Sequence, residues 1–488
     1  MPNVLTRIAL RHRSASHCRA LLRSGTALCA AVMLTLAVGA TQPARALTPQ
    51  QQLVFDIYKE LVEINTVTNT GDTARAAEAM AARLRTAGFE ESDVHVFSPA
   101  SRKGNLVARL HGTGARKPML LLAHLDVVDA KREDWTYDPF TLVEKDGYFY
   151  GRGTADDKFM AATFVANLIR YKHEGYKPDR DIILALETDE EILDRNALGI
   201  QWLLKNHRNL MDAEFALNEG GAVGLKNGKP LHVSIQTSEK VSFNYRLEVT
   251  NRGGHSSLPT KDNAIYHLAE GLARLSKYDF PVTLNETTRA YFERVAQRDH
   301  EPMAADLKAI LREQPDPAAI ARLSANPFYN AQLRTTCIAT MAEAGHAENA
   351  LPQVARATVS CRILPGEPVD EVTATLVKVL SDSQISVKPI GSPVLSEPSR
   401  LNPEIIGAIQ QLSGKFWPDT PVIPTMSTGA TDGSYLRNAG IPTYGHSGLA
   451  GDVDDVRIHG KDERVAVKSF LAGQDYLYQL VKALAGGK

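Results

Sequence analysis

Short apolar segments that run directly into histidine or acidic residues constrain the fold of this chain more than any other feature. Residues 119–123 read Met-Leu-Leu-Leu-Ala and lead straight to His124, and the segment 181–186 leads to Glu187. Continuously apolar segments of this length are typical of strands that are buried on both faces of a sheet. Helical patterns alternate with them, as at 159–171. The alternation predicts an α/β domain with a largely parallel sheet.

Polar residues collect where these predicted strands end. His124 and Asp126 follow the first strand and, being two apart in an extended segment, face the same side. Four acids stand in the segment 187–191, and Glu219 follows the strand-like segment 215–217. Ligands of open α/β sheets bind beyond the carboxyl ends of the strands. Acids at this density repel one another unless a cation lies among them, although a solvated run of charges is the ordinary alternative.

Two further segments add ligand candidates. The sequence Gly-Arg-Gly-Thr-Ala-Asp-Asp-Lys at 151–158 places Asp156 and Asp157 at the start of a predicted helix, where one acid serves as an N-cap. His459 precedes the closing helix, predicted at 463–484. Imidazole and carboxylate donors without cysteine suit Zn²⁺, Co²⁺ or Mn²⁺. Five such ligands exceed the needs of one tetrahedral ion, so the sequence predicts two divalent ions sharing a carboxylate.

The charge of the chain is unevenly distributed. The 488 residues contain 55 basic and 56 acidic side chains, a net charge of −1 that gives no electrostatic basis for binding nucleic acid. Residues 1–46 hold six arginines and no acid, an apolar run at 27–40 and a final Ala-Arg-Ala. This pattern predicts a cleaved secretory signal peptide, with an uncleaved membrane anchor as the alternative. The remaining 442 residues, with 49 basic and 56 acidic side chains, are then expected in the periplasm or outside the cell, free of the membrane.

Removal of that leader leaves two cysteines. Cys337 and Cys361 flank a predicted hairpin formed by 335–341 and 355–363. An oxidising compartment permits a cross-strand disulfide, and two buried free thiols are the alternative.

The pattern of the chain changes near residue 241 and changes back near 392. Strand-like alternation at 241–250 is followed by a helix at 264–275, the hairpin and a helix near 369–380. This order predicts a small α+β domain of the ferredoxin-like type inserted into the α/β domain. The predicted boundaries are a signal peptide at 1–46, an α/β domain at 47–240 and 392–488, and an insertion at 241–391.

In order and spacing the polar segments resemble the di-zinc exopeptidase family of aminoacylase, carboxypeptidase G, carboxypeptidase S and succinyl-diaminopimelate desuccinylase. The matching motifs are Ala-His-Leu-Asp-Val-Val at 123–128, the glycine-rich 151–158, Asp-Glu-Glu at 189–191, Arg-Gly-Gly-His-Ser-Ser at 252–257, and His459. The resemblance covers essentially the whole chain after the leader. It implies a zinc-exopeptidase-like catalytic domain with an inserted lid or dimerisation domain, and hydrolysis of an amide bond in a peptide or N-acyl amino acid.

The resemblance also implies roles for individual residues. Five of them are expected to bind two metal ions, with Asp156 shared, His124 and Glu219 on one ion, and Glu191 and His459 on the other. Glu190 is expected to act as the general base, which moves a proton from the attacking water to the leaving nitrogen. Asp126 is expected to orient His124.

Three residues of the insertion are expected to contact the substrate. By resemblance, His255 stabilises the oxyanion, often from a partner subunit of a homodimer. Arg362 is expected to bind a substrate carboxylate with the help of Asn349, although a surface arginine is the plainer alternative.

Two other functions remain as alternatives. The sequence Gly-His-Ser-Gly-Leu at 445–449 is similar to a serine-hydrolase nucleophile elbow but lacks the last glycine of that motif. A non-catalytic ligand-binding protein of the same fold has no need of a base at Glu190.

Overall fold

The computed structural model describes residues 47–192, 197–298 and 302–487. The predicted signal peptide at 1–46 lies outside the described residues and stays a prediction. Among the described helices, none has both the length and the apolar character needed to cross a bilayer. The helices are α1 (Pro49–Glu63), α2 (Thr73–Thr86), α3 (Lys158–Glu174), α4 (Ile200–Asn206), α5 (Arg208–Met211), α6 (Ala264–Leu275), α7 (Glu286–Ala296), α8 (Met303–Ile310), α9 (Pro317–Ser324), α10 (Pro327–Leu333), α11 (Val369–Leu380), α12 (Pro403–Phe416), α13 (Gly433–Asn438) and α14 (Val467–Ala485).

The described strands form one large sheet, one four-stranded sheet, one three-stranded sheet and one two-stranded pairing. They are β1 (Val94–Ala100), β2 (Lys103–Leu110), β3 (Met119–His124), β4 (Val143–Lys145), β5 (Tyr148–Tyr150), β6 (Ile182–Glu187), β7 (Phe215–Asn218), β8 (Val223–Lys226), β9 (Lys229–Glu239), β10 (Val241–Thr250), β11 (Gly254–His255), β12 (Thr336–Ala344), β13 (Ala350–Leu351), β14 (Val354–Ile363), β15 (Ser386–Ile390), β16 (Val422–Ser427), β17 (Thr443–Gly445), β18 (Ala450–Asp452) and β19 (Arg464–Ala466).

The large sheet is parallel at its centre and mixed overall. Its strand order is β1-β2-β6-β3-β7-β17-β9-β8-β18, with β16 paired to β9. The central strands β6, β3, β7 and β17 are parallel, as the apolar segments predict. Antiparallel hairpins at β1–β2 and β8–β9 make the sheet less parallel than predicted. The second hairpin follows from Asn227 and Gly228, which both adopt positive φ, as a tight two-residue turn requires.

Strand β3 is buried on both faces, which explains its continuously apolar sequence. Leu121 and Ala123 join the core beneath α1, α2, α3, α12 and α14. Leu120 and Leu122 alternate with them and pack against α4, α5 and α13 on the opposite face. Because helices cover both faces, the ends of the central strands are left for polar residues.

The inserted segment forms the four-stranded sheet, whose antiparallel order is β12-β14-β10-β15. Helices α6 and α11 pack on it around Tyr245, Leu247 and Leu376. The chain order strand, helix, two strands, helix, strand with this pairing is the ferredoxin-like arrangement expected from the sequence. We call this unit the lid.

Helices α7 to α10 were not expected from the sequence. They lie between α6 and β12 in the chain and have their own apolar cluster, which includes Phe292 and Leu333. They also bond to the large sheet: the hydroxyls of Thr237 and Thr287 lie 2.9 Å apart, and the Gln332 amide donates to the Met426 carbonyl at 3.0 Å. Part of the segment assigned to the lid by sequence therefore packs on the α/β domain, while the domain boundaries stay a prediction.

The two cysteines form a disulfide. Cys337 on β12 lies directly opposite Cys361 on β14, and their sulfur atoms are bonded. The predicted hairpin is therefore formed, and of the two alternatives left open by the sequence the structure contains the disulfide. The bond joins the edge strand of the lid to the strand that carries Arg362.

Candidate metal centre and active site

The predicted metal ligands come together at the carboxyl ends of the central strands. His124 is the last residue of β3, Glu219 directly follows β7, and Glu191 lies in the turn after β6. Asp156 precedes α3, and His459 lies between β18 and β19. Parallel strands end at one edge of a sheet, so residues distant in sequence meet there.

Asp156 lies between the two histidines. Its Oδ1 is 2.9 Å from His124 Nε2, and its Oδ2 is 3.0 Å from His459 Nε2. His459 Nε2 is also 3.1 Å from the carboxylate of Glu191. Donor atoms of His124, Asp156 and Glu219 lie within 4.8 Å of one another, as do those of Asp156, Glu191 and His459. These two groups share Asp156, and a third group consists of His124, Glu190 and Glu191; the division of ligands between two ions stays a prediction.

The electrostatics of this cluster favour bound cations. Burial, followed by the charge of Asp156, raises the pKa of Glu219 to about 8. Hydrogen bonds with Asp156 and Glu191 raise the pKa of His459 to about 10. Burial opposes ionisation of Asp156, but the two histidines outweigh it and hold its pKa below the usual range. In the metal-free protein, a proton on Glu219 and a protonated His459 thus reduce the net negative charge that divalent ions balance in a metal-loaded site.

The donor set fits divalent transition metals. It consists of imidazole nitrogens and carboxylate oxygens, which suit Zn²⁺, Co²⁺ or Mn²⁺. Cys337 and Cys361 lie in the lid disulfide and take no part in it. His124 donates from Nδ1 to the backbone carbonyl of Asp126 at 2.9 Å, which leaves Nε2 as the atom that faces the cluster.

Asp126 contacts His124 through its backbone carbonyl and not through its carboxylate. Its carboxylate oxygen is 3.8 Å from His124 Nδ1, too far for a hydrogen bond, so its backbone carbonyl holds the imidazole instead. The carboxylate accepts the N–H groups of Glu190 and Glu191 at 3.2 Å each, and the hydroxyl of Thr68 at 3.1 Å. The side chain of Asp126 therefore positions the loop that carries the predicted base. The sequence could not show which of its oxygens faces the histidine.

Glu190 is placed to exchange a proton beside the cluster. It lines the same cavity as Asp156 and Glu219. Burial, and then the nearby charge of Glu219, raises the pKa of Glu190 well above its ordinary value. Asp189 before it adopts a φ of 69° and pairs with Lys103, which fixes the turn. A raised carboxyl pKa suits a group that accepts and returns a proton near neutral pH.

The cavity lies between the large sheet and the lid and has a volume of about 1420 Å³. Arg362 lines it from the lid, together with Phe243. Burial lowers the pKa of the Arg362 guanidinium, which still stays charged. The predicted carboxylate-binding residue therefore faces the same space as the metal cluster.

His255 and Asn349 lie elsewhere on the lid. Strands β11 and β13 pair there, and the N–H of Ser256 donates to the carbonyl of Asn349 at 3.0 Å. His255 is exposed, and its Nδ1 accepts the N–H of Ser257 at 3.1 Å. Within one chain neither His255 nor Asn349 is among the residues that line the cavity. The two are brought together with each other but not with the metal cluster.

The geometry at 445–449 does not form a serine-hydrolase site. The hydroxyl of Ser447 donates to the carbonyl of Gly221 at 3.0 Å. His446 bonds to the carbonyl of Ser234 and to the hydroxyl of Tyr476, so it does not serve Ser447 as a base. The serine alternative is therefore wrong.

Two buried residues that the sequence did not indicate contact the loops that carry Asp156 and His459. Arg152 and Glu463 form an ion pair at 2.7 Å, and both side chains are buried. In the sequence, the only signal for Arg152 is its place in the motif at 151–158, and the only signal for Glu463 is its place four residues after His459. Nothing in the sequence pairs them, because 311 positions separate them.

An α/β fold with imidazole and carboxylate side chains at its strand ends, a buried carboxyl beside them and a large cavity is typical of a metal-dependent hydrolase. Residues 120–483 match the model of the peptidase family M20/M25/M40. The chain belongs to this family, whose members include carboxypeptidases, dipeptidases and N-acyl amino acid hydrolases, and it is an enzyme of the metallopeptidase and amidohydrolase class.

Similar proteins support this assignment. The chain is 30% identical over 377 residues to the human N-fatty-acyl-amino acid synthase/hydrolase PM20D1, covering 75% of this chain and 74% of that protein. It is 30% identical to the probable carboxypeptidase S-like 2 of Dictyostelium discoideum, with 75% and 71% covered. The M20 family metallo-carboxypeptidase Sso-CP2 of Sulfolobus solfataricus has the same fold, with a TM-score of 0.65, 18% identity, and 90% and 100% of the two chains covered.

Metal binding should release protons from the cluster. Glu219 and His459, with pKa values of about 8 and 10, carry protons in the metal-free protein at pH 7 and must lose them to bind a cation. Both pKa values are raised by folding, so the stability that these protons give is lost as the pH rises toward 8 and then 10. We expect the metal-free protein to melt at a lower temperature at pH 8 than at pH 6.

Calorimetric titration with Zn²⁺ in buffers of different ionisation enthalpy measures the protons released. We expect at least two per chain at pH 7, from Glu219 and His459, and His124 adds to them because its pKa is also raised. An apparent binding enthalpy that is the same in every buffer would contradict this description of the cluster.

Proposed function

We propose that this protein is an exported di-zinc hydrolase that cleaves the amide bond of an N-acyl amino acid or of a peptide C-terminus. The observation that carries the proposal is Asp156, whose two oxygens face His124 and His459 in a cavity that also holds Glu190. The arginine-rich, apolar pattern of 1–46 supports export to the periplasm or the medium.

In the proposed reaction the metal ions, Glu190 and Arg362 have separate roles. Two divalent ions, when bound, make hydroxide available near neutral pH and polarise the scissile carbonyl. Glu190 takes the proton of the attacking water and delivers it to the leaving nitrogen. Arg362 binds the carboxylate of the substrate with its planar guanidinium, which fixes the amide bond relative to Glu190. A free carboxylate next to the scissile bond is therefore part of the proposed substrate.

The oxyanion is stabilised by a residue from a second copy of the chain. His255 is exposed on the lid and lies outside the cavity of its own chain. The edge strand β12 is exposed along most of its length, with Ile338 and Met341 more than two-thirds exposed, which leaves the lid sheet free to pair. We therefore include in the proposal a homodimer formed through the lid, in which His255 and Asn349 serve the partner's cavity.

The cavity wall favours a substrate with an apolar acyl group. Val453, Val456 and Ile458, on the segment before His459, line the cavity and are exposed. Val223 and Leu225 continue the apolar wall inward. A small dipeptide leaves this surface in water, whereas an acyl chain covers it. The similarity to a protein named for N-fatty-acyl amino acids supports the same choice.

Replacement of the proposed base tests the reaction. Glu190→Gln should lower kcat for an N-acyl amino acid by about 10²- to 10⁴-fold, because the amide cannot accept the proton of the attacking water. Metal content, measured by atomic emission, should stay at the wild-type value. Glu404→Gln, an exposed glutamate on α12 that pairs with Arg116, is the control and should keep full activity. Undiminished turnover of Glu190→Gln would contradict its role.

A substitution in the apolar cavity wall tests the proposed substrate class. Val456, 71% exposed, lines the cavity, whereas Val377, 53% exposed, lies outside it on α11. Val456→Asp should lower kcat/KM for a long-chain N-acyl amino acid by about tenfold and leave the N-acetyl substrate unchanged. Val377→Asp should change neither value. An equal loss on both substrates for Val456→Asp, or no loss on either, would contradict an acyl-binding wall.

A further inference from the structure

The carboxylate of Glu463 accepts hydrogen bonds from several donors of one loop. Its side chain is 1% exposed. Oε1 accepts the N–H of Ala155 at 2.8 Å and that of Asp156 at 3.3 Å. Oε2 accepts the N–H of Gly153 at 3.1 Å and Nη1 of Arg152 at 2.7 Å. The loop that carries the shared ligand Asp156 is thus wrapped around one carboxylate.

Arg152 extends the same contact to the second metal-site segment. Its Nη2 donates to the carbonyl of Gly460 at 3.1 Å, next to His459. Its guanidinium also lies over the ring of Trp135, 4.9 Å from the centroid. The backbone N–H of Gly151 donates to the carbonyl of Glu463 at 3.1 Å. Loop 151–157 and the segment around His459 are therefore tied to each other through one ion pair.

The ionised form of the Glu463 carboxylate is disfavoured at this buried position. Burial raises the pKa of Glu463, and the nearby charge of Asp156 raises it further, while the loop N–H groups and Arg152 oppose both effects. A buried ion pair is a weak source of stability compared with apolar packing, but it fixes the relative position of the elements it joins. The elements joined here carry two of the proposed ligands, Asp156 and His459.

We propose that Glu463 is a positioning residue that sets the affinity of the metal site by holding Asp156 and His459 at a fixed separation. The inference rests on the proposal that Asp156 and His459 bind metal. The carboxylate of Glu463 is taken up by the loop N–H groups and by Arg152, and among the described residues it belongs to none of the groups that could hold an ion. Without Glu463, Asp156 and His459 are no longer held at a fixed separation. Metal ions must then order the segments that carry both residues when they bind.

The test compares two buried ion pairs in the full chain. Glu463→Gln keeps the size of the side chain but turns one acceptor into an N–H₂ group that faces N–H donors. Glu239→Gln is the matched control, because Glu239 lines the same cavity and forms a similarly buried ion pair with Arg437 at 2.8 Å, but its hydrogen bonds go to neither the loop 151–157 nor the segment around His459. The dissociation constant for Zn²⁺ is measured by competition with a chelator, and the melting temperature of the metal-free protein is measured alongside.

We expect Glu463→Gln to raise the dissociation constant for Zn²⁺ by about 10- to 100-fold, as replacement of groups that orient ligands does elsewhere. Glu239→Gln should lower the melting temperature of the metal-free protein but leave the dissociation constant within about threefold of wild type. Where Glu463→Gln does not fold, Arg152→Lys serves instead, since it keeps the charge and loses the contact with Gly460. It should also raise the dissociation constant.

Two results would overturn the inference. One is a Zn²⁺ affinity of Glu463→Gln and Arg152→Lys equal to that of wild type. The other is an equal loss of affinity in Glu239→Gln, which would make the effect one of general stability. A wild-type chain that binds no Zn²⁺ tightly removes the proposed function and this inference together, whereas tight wild-type binding with unaffected variants removes the inference alone.

Discussion

The mutual repulsion of buried carboxylates is the constraint on which the rest of this structure depends. Asp156, Glu190, Glu191 and Glu219 meet at one edge of the large sheet because parallel strands and a helix start deliver them there. Such a group is stable only with positive charge inside it, from protons in the metal-free chain or from divalent ions. The same requirement explains the two oxygens of Asp156 between two histidines, and the raised pKa of Glu219.

The surrounding structure holds this cluster in place and forms the cavity in front of it. Apolar residues on both faces of β3 fix the strand from which His124 projects. Asp126 then orients His124 with its carbonyl and the loop of Glu190 with its carboxylate. The lid contributes Arg362 and part of the cavity wall, and its disulfide joins the strand of Arg362 to the exposed edge. The result is an open cavity with a charged centre and an apolar rim.

Much of this arrangement could be predicted from sequence because its signals are local. Apolar segments that end in His124 or Glu187 indicate both a buried strand and the end where ligands lie. The ferredoxin-like lid follows from the order of its elements. The ion pair of Arg152 and Glu463 could not be predicted, because it joins residues 311 positions apart through the fold. Helices α7 to α10 were missed for a similar reason, since their contact with the large sheet depends on tertiary packing.

Anomalous diffraction at the zinc absorption edge, from crystals of the metal-loaded protein, would show how many ions the strand-end cluster binds and where they lie. We expect two peaks per chain, one among His124, Asp156 and Glu219 and the other among Asp156, Glu191 and His459. Asp156 should lie between the two peaks, because each of its oxygens faces one histidine. A single peak, or peaks away from these residues, would contradict a two-metal centre at the strand ends.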